Sequence, residues 1–169
     1  MGNKLSLEIK SFEKLKKETR VENGKVFWTV SKRGRKLGKE IGSVFSSGYR
    51  LARINGKIYS IHRFLYYYYN NTLPEFIDHI DRNRSNNTKE NLRAATIQQN
   101  NQNASIRSDN KSGTRGVSWS NFRKKWVAQI SLSGKSKNLG RFEDKNDAIK
   151  ARQNAEKKYF GDFAVKTGK

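Results

Sequence analysis

Carboxylates, amides and a histidine are concentrated in one short stretch of the sequence, residues 75–103. Glu75, Asp78 and Asp81 surround His79, one of only two histidines in the chain, and a series of asparagines follows. A surface that only grips an anion would not carry carboxylates, because like charges repel. A surface that holds a metal ion against that anion would carry them. The residue types therefore indicate metal-assisted chemistry on a phosphate.

The spacing is compatible with phosphodiester hydrolysis, which needs a base to activate water and a cation to neutralise developing charge. Asn91 lies twelve residues beyond His79, and Asn100 lies nine residues beyond Asn91. Oxygen donors of Asp and Asn suit Mg²⁺, which commonly takes one or two protein ligands. Asp78 and His79 are adjacent, so a turn or bulge must re-aim one of them if both face one site. A solvated Asn-rich loop around a buried histidine explains the residue types equally well.

The motif DHIDRNRSNNTKENLR, preceded by IHRF and followed by a helix with Asn100, resembles the HNH endonucleases of the ββα-metal fold, especially phage homing enzymes. The resemblance implies that His79 is the general base and that Asp78 is the metal ligand beside it. It also implies that Asn91 holds the loop that orients the histidine and that Asn100 is the second metal ligand. This chain has Asn at the last position, where the family name expects His.

Three neighbouring side chains have rival assignments. Asn103 competes with Asn100 as the second ligand, because it lies three residues farther along the same helical face. Arg93 is a candidate contact of the scissile phosphate, with a solvated or hairpin-bracing arginine as the equal alternative. His62 is a second candidate phosphate contact, although a structural histidine that anchors the following helix is the favoured interpretation.

The residues upstream of the motif predict the elements that position it. Leu5, Ile9, Phe12 and Leu15 have helical spacing and predict a helix over residues 5–15. Asn55-Gly56 is a strong signal for a tight hairpin turn. The remaining predictions are strands at 25–30, 48–54, 57–61 and 75–80, a helix with a packed aromatic face at 62–71, and a helix that begins at Ile97.

The charge of the chain predicts a polyanionic partner. The 169 residues include 36 Lys and Arg against 15 Asp and Glu, which gives a net charge of +21. Residues 1–105 carry +11 and residues 106–169 carry +10, so both halves are expected to face the polyanion. Cysteine is absent and histidine is scarce, which excludes disulfides and predicts no zinc site. No membrane-spanning stretch or signal peptide is apparent, so a cytoplasmic location is expected.

The C-terminal third predicts three short strands, at 115–119, 125–131 and 137–142, and a helix over 147–160. Ala148, Ala151, Ala155 and Tyr159 form a stripe on that helix, and Gly161 stands at the expected C-cap position. Alternation predicts Val117, Trp119, Trp126, Ala128, Ile130 and Leu139 on the helix-facing side of the sheet.

The pieces RGV, KWVAQI, LGRF and DAIKARQNAEKKYFG, in that order, resemble the AP2 DNA-binding domain. The resemblance implies that the sheet enters the DNA major groove while the helix packs on its back. The implied DNA-facing set is Arg115, Ser118, Ser120, Gln129, Ser131 and Asn138, with Arg123, Lys124 and Lys125 as phosphate contacts. Plant members place Arg or Trp at several of these positions, so their base preference does not transfer to this chain.

These observations together predict an α+β chain with a β-rich N-terminal region, a ββα-metal HNH motif, and a three-stranded antiparallel sheet with a helix. The predicted divisions are an endonuclease domain at 1–105, a linker at 106–113 and an AP2-like domain at 114–169. The expected function is a monomeric, Mg²⁺-dependent endonuclease of double-stranded DNA, with Mn²⁺ as a substitute. Its expected setting is a phage mobile element in the bacterial host cytoplasm. The alternative is a DNA-binding protein with an inactive nuclease-like domain, and RNA binding is the weaker third option.

Overall fold

The computed structural model describes residues 2–32, 35–103 and 110–163, and it divides the chain into two compact units, Met1–Thr96 and Ile97–Lys169. Both units mix helices with small antiparallel sheets. The predicted domain boundary at 106–113 falls inside the second unit, where residues 104–109 lie outside the described residues, and it stays a prediction. None of the helices in the described ranges is both long and apolar enough to cross a membrane.

The described residues of the first unit form two helices, three small antiparallel sheets and a short 3₁₀ turn at Lys89–Asn91. In chain order the elements are α1 (Gly2–Lys16), β1 (Thr19–Glu22), β2 (Lys25–Trp28), β3 (Ser43–Val44), β4 (Arg50–Ile54), β5 (Lys57–Ser60), α2 (Ile61–Asn70), β6 (Phe76–His79) and β7 (Leu92–Ala95). Strands β1 and β2 form one sheet, β3, β4 and β5 a second, and β6 and β7 a third. The predicted helices and strands of this half are confirmed, whereas β1, β3 and β7 were not expected from the sequence.

The two helices supply the core of the first unit. Phe12 and Leu15 of α1 are buried, as their helical spacing predicts, against Phe64 and Leu65 of α2. The Phe12 and Phe64 rings meet edge to face, with centroids 5.5 Å apart. Tyr67 packs its ring into the same core while its hydroxyl donates to the Glu13 carboxylate. The tyrosine run is therefore a packed aromatic face with polar tips, as predicted.

Asn-Gly turns close two of the hairpins of the first unit. Asn55 and Gly56 join β4 to β5 with φ values of 49° and 80°, which confirms the predicted turn. Asn23 and Gly24 join β1 to β2 in the same left-handed conformation, with φ values of 48° and 71°. A Cβ on Gly24 would lie 2.7 Å from the backbone nitrogen of Thr88, so only glycine lets this turn press against the loop that leads into β7.

In its described residues, the second unit has a three-stranded antiparallel sheet with a long helix against one face, and the last strand in the chain and the first lie at the two edges. Its elements are α3 (Ile97–Asn103), β8 (Val117–Ser120), β9 (Lys125–Leu132), β10 (Lys135–Phe142), α4 (Lys145–Phe160) and a 3₁₀ turn at Gly161–Phe163. The Asp144 carboxylate caps α4 by accepting from the backbone nitrogen of Asn146 at 2.6 Å. Gly161 occupies the C-cap position with φ of 52°, which confirms the predicted helix end.

Small residues let α4 lie close to the sheet, as predicted. Ala148 and Ala155 of α4 are buried against the sheet, where Ala128 and Ile130 are fully buried. Tyr159 departs from the predicted stripe: it is exposed, and its hydroxyl accepts from Lys137 Nζ at 2.8 Å.

Trp119 was predicted to be buried, but the structure leaves it 44% exposed. It does lie on the predicted face, because its ring meets that of Trp126 edge to face at 5.4 Å. The exposure follows from its position on β8, the edge strand of the sheet, where no further strand covers its outer side. Trp126 lies one strand farther in and is covered by Lys145 at the start of α4, with Nζ 5.5 Å from its ring.

Candidate active site

The β6–β7 hairpin of the first unit carries the predicted base and one predicted metal ligand. In its register Asp78 lies opposite Arg93 and His79 lies opposite Leu92. Residues directly opposite in an antiparallel pair share a face of the sheet, so Asp78 and Arg93 project to the same side. Strand β7 is four residues long and lacks a clear alternating pattern, which is why sequence reasoning missed it.

Asp78 is held by a buried ion pair. Its side chain is 5% exposed, and its Oδ2 atom accepts from Arg93 Nε at 2.8 Å and lies 2.7 Å from Arg93 Nη2. A buried carboxylate needs such a partner, because desolvation of an unpaired charge costs several kcal/mol. Arg93 is therefore placed against the predicted metal ligand, which is the hairpin-bracing arrangement left open by the sequence.

His79 is the last residue of β6 and is buried, with 4% of its surface exposed. The strand ends there in a turn in which the backbone nitrogen of Arg82 donates to the His79 carbonyl at 2.9 Å. Its Nε2 atom lies 2.9 Å from Oδ1 of the buried Asn87. Because an amide oxygen only accepts, Nε2 carries the proton and Nδ1 carries the lone pair of the neutral ring.

The pKa of His79 is lowered from its ordinary value, chiefly by burial, which disfavours the charged imidazolium. The hydrogen bond to Asn87 and the carboxylates of Asp81 and Asp78 raise the pKa and offset part of this effect. The net result is a neutral imidazole at neutral pH, which is the protonation state that a general base requires.

Asn91 ties together the loop that follows His79. Its Nδ2 atom donates to Asp81 Oδ1 at 2.8 Å and to the Asn86 carbonyl at 2.7 Å, and its Oδ1 atom accepts from the Asp81 backbone nitrogen at 2.9 Å. Asn86 Nδ2 donates to the second Asp81 oxygen at 2.7 Å. The carboxylate of Asp81 thus serves as the centre of a hydrogen-bonded loop.

Burial alone would raise the pKa of Asp81, but the pKa is lowered overall because Asn86, the Asn83 backbone nitrogen and Asn91 all donate to its carboxylate. Asp81 thus serves in this basic chain as the hydrogen-bond acceptor that holds the loop together. The sequence pointed to Asn91 through the family resemblance, whereas nothing in residue type distinguished Asn86 and Asn87 from the other asparagines nearby.

His62 and Tyr49 pack against His79 from the side of α2 and β4. The ring centroids of His62 and His79 are 5.3 Å apart, and those of Tyr49 and His62 are 5.0 Å apart. His62 Nδ1 is buried without a hydrogen-bond partner. Burial, followed by the nearby His79 and Arg63, lowers the pKa of His62 to about 3, so its ring is uncharged at neutral pH. Tyr49 was not predicted as a site residue.

The first unit therefore brings together four of the predicted site residues on the β6–β7 hairpin and its loop, namely Asp78, His79, Asn91 and Arg93. It also places His62 beside His79. Asn100 lies on α3, which belongs to the second unit, and its metal-ligand role stays a prediction. The side chain of Asn103, its rival, lies outside the described residues. Within the described ranges no three Asp, Glu, His or Cys side chains cluster into a metal site.

The predicted DNA-facing residues of the second unit lie on or beside the sheet face opposite α4. Ser118, Gln129, Ser131 and Asn138 are exposed, and in the register Gln129 lies opposite Asn138. Arg123 and Lys124 are exposed at the β8–β9 turn, and Ser120 lies opposite Lys125 at its base. Lys125 Nζ pairs with Glu143 at 2.8 Å, and Arg115 Nη1 donates to the Asn101 carbonyl at 2.6 Å.

Arg141 was missed on this face because of a β-bulge. The register shifts between Asn138 and Gly140, after which Arg141 pairs with Val127. Plain alternation from Asn138 would turn position 141 toward α4, but the extra residue in the bulge reverses the parity. Arg141 is exposed and shares the outer face with Ser118, the other strand neighbour of Val127.

Residues 59–102 match the family model described as HNH endonuclease, and this segment includes every predicted catalytic and metal-binding residue. A protein of Acanthamoeba polyphaga mimivirus, named as an uncharacterized HNH endonuclease, is 35% identical over 122 residues, which are 70% of this chain and 62% of that protein. Protein 3.8 of Escherichia phage T7 is 38% identical over 72 residues, which are 41% of this chain and 60% of that protein. The chain thus spans about three fifths of the length of each relative, and no solved structure matches it significantly. An HNH domain is present in this chain.

Proposed function

We propose that this protein is a metal-dependent DNA endonuclease whose first unit cuts and whose second unit recognises DNA. The observation that carries the proposal is the buried His79 at the end of β6, whose Nε2 atom lies 2.9 Å from Asn87 Oδ1. It lies beside Asp78 within the segment that matches the HNH endonuclease family. The endonuclease activity in the family's description and the high positive charge of the chain both favour DNA as the substrate.

His79 acts in this proposal as the general base that takes a proton from the attacking water. Asn87 fixes its ring tautomer, and Asn91 fixes the loop that begins two residues after it through its bonds to Asp81. These contacts leave the imidazole one orientation, which is what a base must have to meet its proton within hydrogen-bond reach.

Asp78 and Asn100 would hold the divalent cation, with Asn103 as the rival to Asn100. A carboxylate and an amide oxygen are hard donors and fit Mg²⁺, with Mn²⁺ as a substitute, whereas the chain has no cysteine for a thiolate site. When bound, the metal would neutralise charge on the phosphorane and on the leaving 3′ oxygen.

The two candidate phosphate contacts differ in what supports them. Arg93 already neutralises Asp78, so its first role is to hold that carboxylate in place. His62 is uncharged at neutral pH and therefore offers a phosphate no ionic attraction. Its ring contact with His79 favours a positioning role for this side chain.

The second unit binds DNA in this proposal through the outer face of its three-stranded sheet, as the resemblance to AP2 domains implies. The exposed amides and hydroxyls at Ser118, Gln129, Ser131 and Asn138 suit contacts with base edges. The cations Arg123, Lys124 and Arg141 suit contacts with phosphates, which fix orientation on the duplex. The proposal includes a mobile-element role, carried out by a monomer in the cytoplasm of a bacterial host, and the similarity to a protein of phage T7 fits a phage setting.

Incubation of the purified protein with supercoiled plasmid, with Mg²⁺ and with chelator, tests the proposal. We expect conversion to nicked or linear plasmid with Mg²⁺ or Mn²⁺, and no conversion in chelator while DNA binding persists in a gel-shift assay. Binding without cleavage under every metal condition would overturn the nuclease proposal and leave the DNA-binding protein with an inactive domain. Full cleavage in chelator would overturn the metal dependence.

A further inference from the structure

The β3–β4 hairpin of the first unit presents an apolar tip on a closed turn. Its register pairs Ser43 with Leu51 and Val44 with Arg50, and it continues at Phe45, whose backbone nitrogen donates to the Tyr49 carbonyl at 3.0 Å. The Phe45 carbonyl in turn accepts from the Gly48 backbone nitrogen at 2.8 Å, which closes a four-residue turn. The phenyl ring of Phe45 therefore stands on a backbone that is hydrogen-bonded on both sides.

The tip exposes hydrophobic surface that would be stabilised by a partner. Phe45 is 50% exposed and its neighbour Val44 is 53% exposed. The hydrogen-bonded turn holds the Phe45 ring in solvent, where it is available to a binding partner.

The hairpin is fixed to the candidate active site through three contacts. Arg84 Nη1 donates to the Ser47 carbonyl at 2.8 Å, and Ser85 Oγ donates to the Gly48 carbonyl at 3.1 Å. Both donors belong to the loop between His79 and Asn91. The Arg84 guanidinium also lies 4.8 Å from the centre of the Tyr49 ring.

Phe45 faces the same side as the site. Opposite residues in an antiparallel pair share a face, so Phe45 lies on the side to which Tyr49 directs its ring. That ring has its centroid 6.0 Å from the centroid of His79. Phe45 thus lies one cross-strand spacing, about 5 Å, from Tyr49, whose ring contacts the candidate base.

The site itself is recessed. His79 is 4% exposed and Asp78 is 5% exposed, so little of either residue reaches the surface that a straight duplex would touch. A phosphate must therefore be moved out of its regular position to approach them. Proteins achieve such deformation by inserting apolar side chains between base steps, which unstacks the bases and kinks the duplex.

We infer that Phe45 is a wedge that inserts into a base step of double-stranded DNA near the scissile phosphate, and that this distortion brings the phosphate to His79. The inference rests on the proposed function, because it takes DNA as the partner. The adjacent Arg84, held against Tyr49, supplies positive charge beside the tip, which suits a polyanion better than an apolar protein surface.

The test uses the full chain and a duplex whose bound region is mapped by footprinting in chelator, so that it does not depend on cleavage. 2-Aminopurine, which fluoresces when unstacked, replaces single adenines across the footprint. We expect the intact protein to raise fluorescence at one step, and Phe45→Ala to abolish that rise. Phe45→Leu keeps an apolar wedge and should retain much of it. Leu37→Ala, at another exposed apolar residue of the same unit, is the matched control and should behave like the intact protein.

The cleavage readout separates distortion from affinity. With Mg²⁺ at saturating DNA, Phe45→Ala should cut about 10- to 100-fold more slowly, as expected when binding energy that drives distortion is lost, while KM changes little. An unchanged fluorescence profile and cleavage rate in Phe45→Ala would overturn the wedge, as would a change only in oligomeric state, which would indicate a protein partner. If the fluorescence rise depends on Phe45 but the intact protein does not cleave DNA, the wedge would be supported and only the nuclease proposal would be overturned.

Discussion

Replacing Arg93 with glutamine removes the cation that faces the buried Asp78 carboxylate and tests how the β6–β7 hairpin is held. Arg93 places Nε 2.8 Å and Nη2 2.7 Å from one oxygen of Asp78, and both side chains are largely buried. Breaking a buried pair by removing one partner costs about 3–5 kcal/mol, because the other charge is left without compensation. Arg93 retains some exposure, so we expect the lower end, about 3 kcal/mol. For a unit of this size that corresponds to a melting temperature lower by roughly 10–20 °C.

Urea unfolding and calorimetry of Arg93→Gln measure this loss. Arg20→Gln is the matched control, because Arg20 makes an ion pair with Glu22 in which both side chains are exposed. Exposed pairs contribute about 0–1 kcal/mol, so that variant should differ little from the intact protein. The double variant Asp78→Asn/Arg93→Gln removes both charges and should be more stable than the sum of the single losses predicts. Equal losses for Arg93→Gln and Arg20→Gln, or strict additivity in the double variant, would refute the reasoning.

Three further predictions concern other contacts. Burial lowers the pKa of His62 to about 3, so the unfolded chain takes up its proton first and stability falls as pH drops from 6.5 toward 3. Between pH 7 and 4.5, His62→Phe should therefore lose less stability in urea unfolding than the intact protein does, by up to about 2.7 kcal/mol. An identical pH profile for the two proteins would contradict this. Asn91→Ala removes three loop hydrogen bonds at about 1 kcal/mol each, so the free energy of unfolding should fall by about 3 kcal/mol. Plasmid cleavage should fall as well. A variant with unchanged stability and full cleavage would show that these hydrogen bonds do not hold the loop. Arg141→Ala should reduce the slope of the DNA-binding constant against salt concentration by about one phosphate contact. Lys150→Ala, at an exposed lysine of α4, should leave this slope unchanged. Equal slopes for the two variants would show that Arg141 does not contact DNA.

The helices and the longer strands could be predicted because the regular spacing of their hydrophobic residues and their turn residues indicate one local structure. The spacing of Phe12 and Leu15 and the Asn55-Gly56 turn each specify local structure with few alternatives. Strand β7 was missed because four residues, LRAA, carry too little pattern to distinguish a strand from a loop. These residues form a strand because they pair with β6. Such pairing depends on tertiary structure and leaves no local pattern in the sequence.

The candidate site shows the same limit in its side chains. Residue type and resemblance pointed to His79 and Asp78, but the partner that fixes the His79 tautomer is Asn87, one asparagine among many in the sequence. Asp81 is one of the carboxylates that surround His79 in the sequence, and its hydrogen bonds make it the centre of the loop. The outward position of Arg141 depends on a bulge, which inverts the parity that simple alternation assumes.

The role of His79 as general base is the central claim, and chemical rescue tests it most directly. His79→Ala removes the imidazole and should slow plasmid cleavage by about two to four orders of magnitude, while DNA affinity in chelator changes little. Added imidazole can enter the space left by the side chain and should restore part of the rate, in proportion to the concentration of its neutral form. Cleavage by His79→Ala at a rate close to that of the intact protein, without added imidazole, would contradict the account.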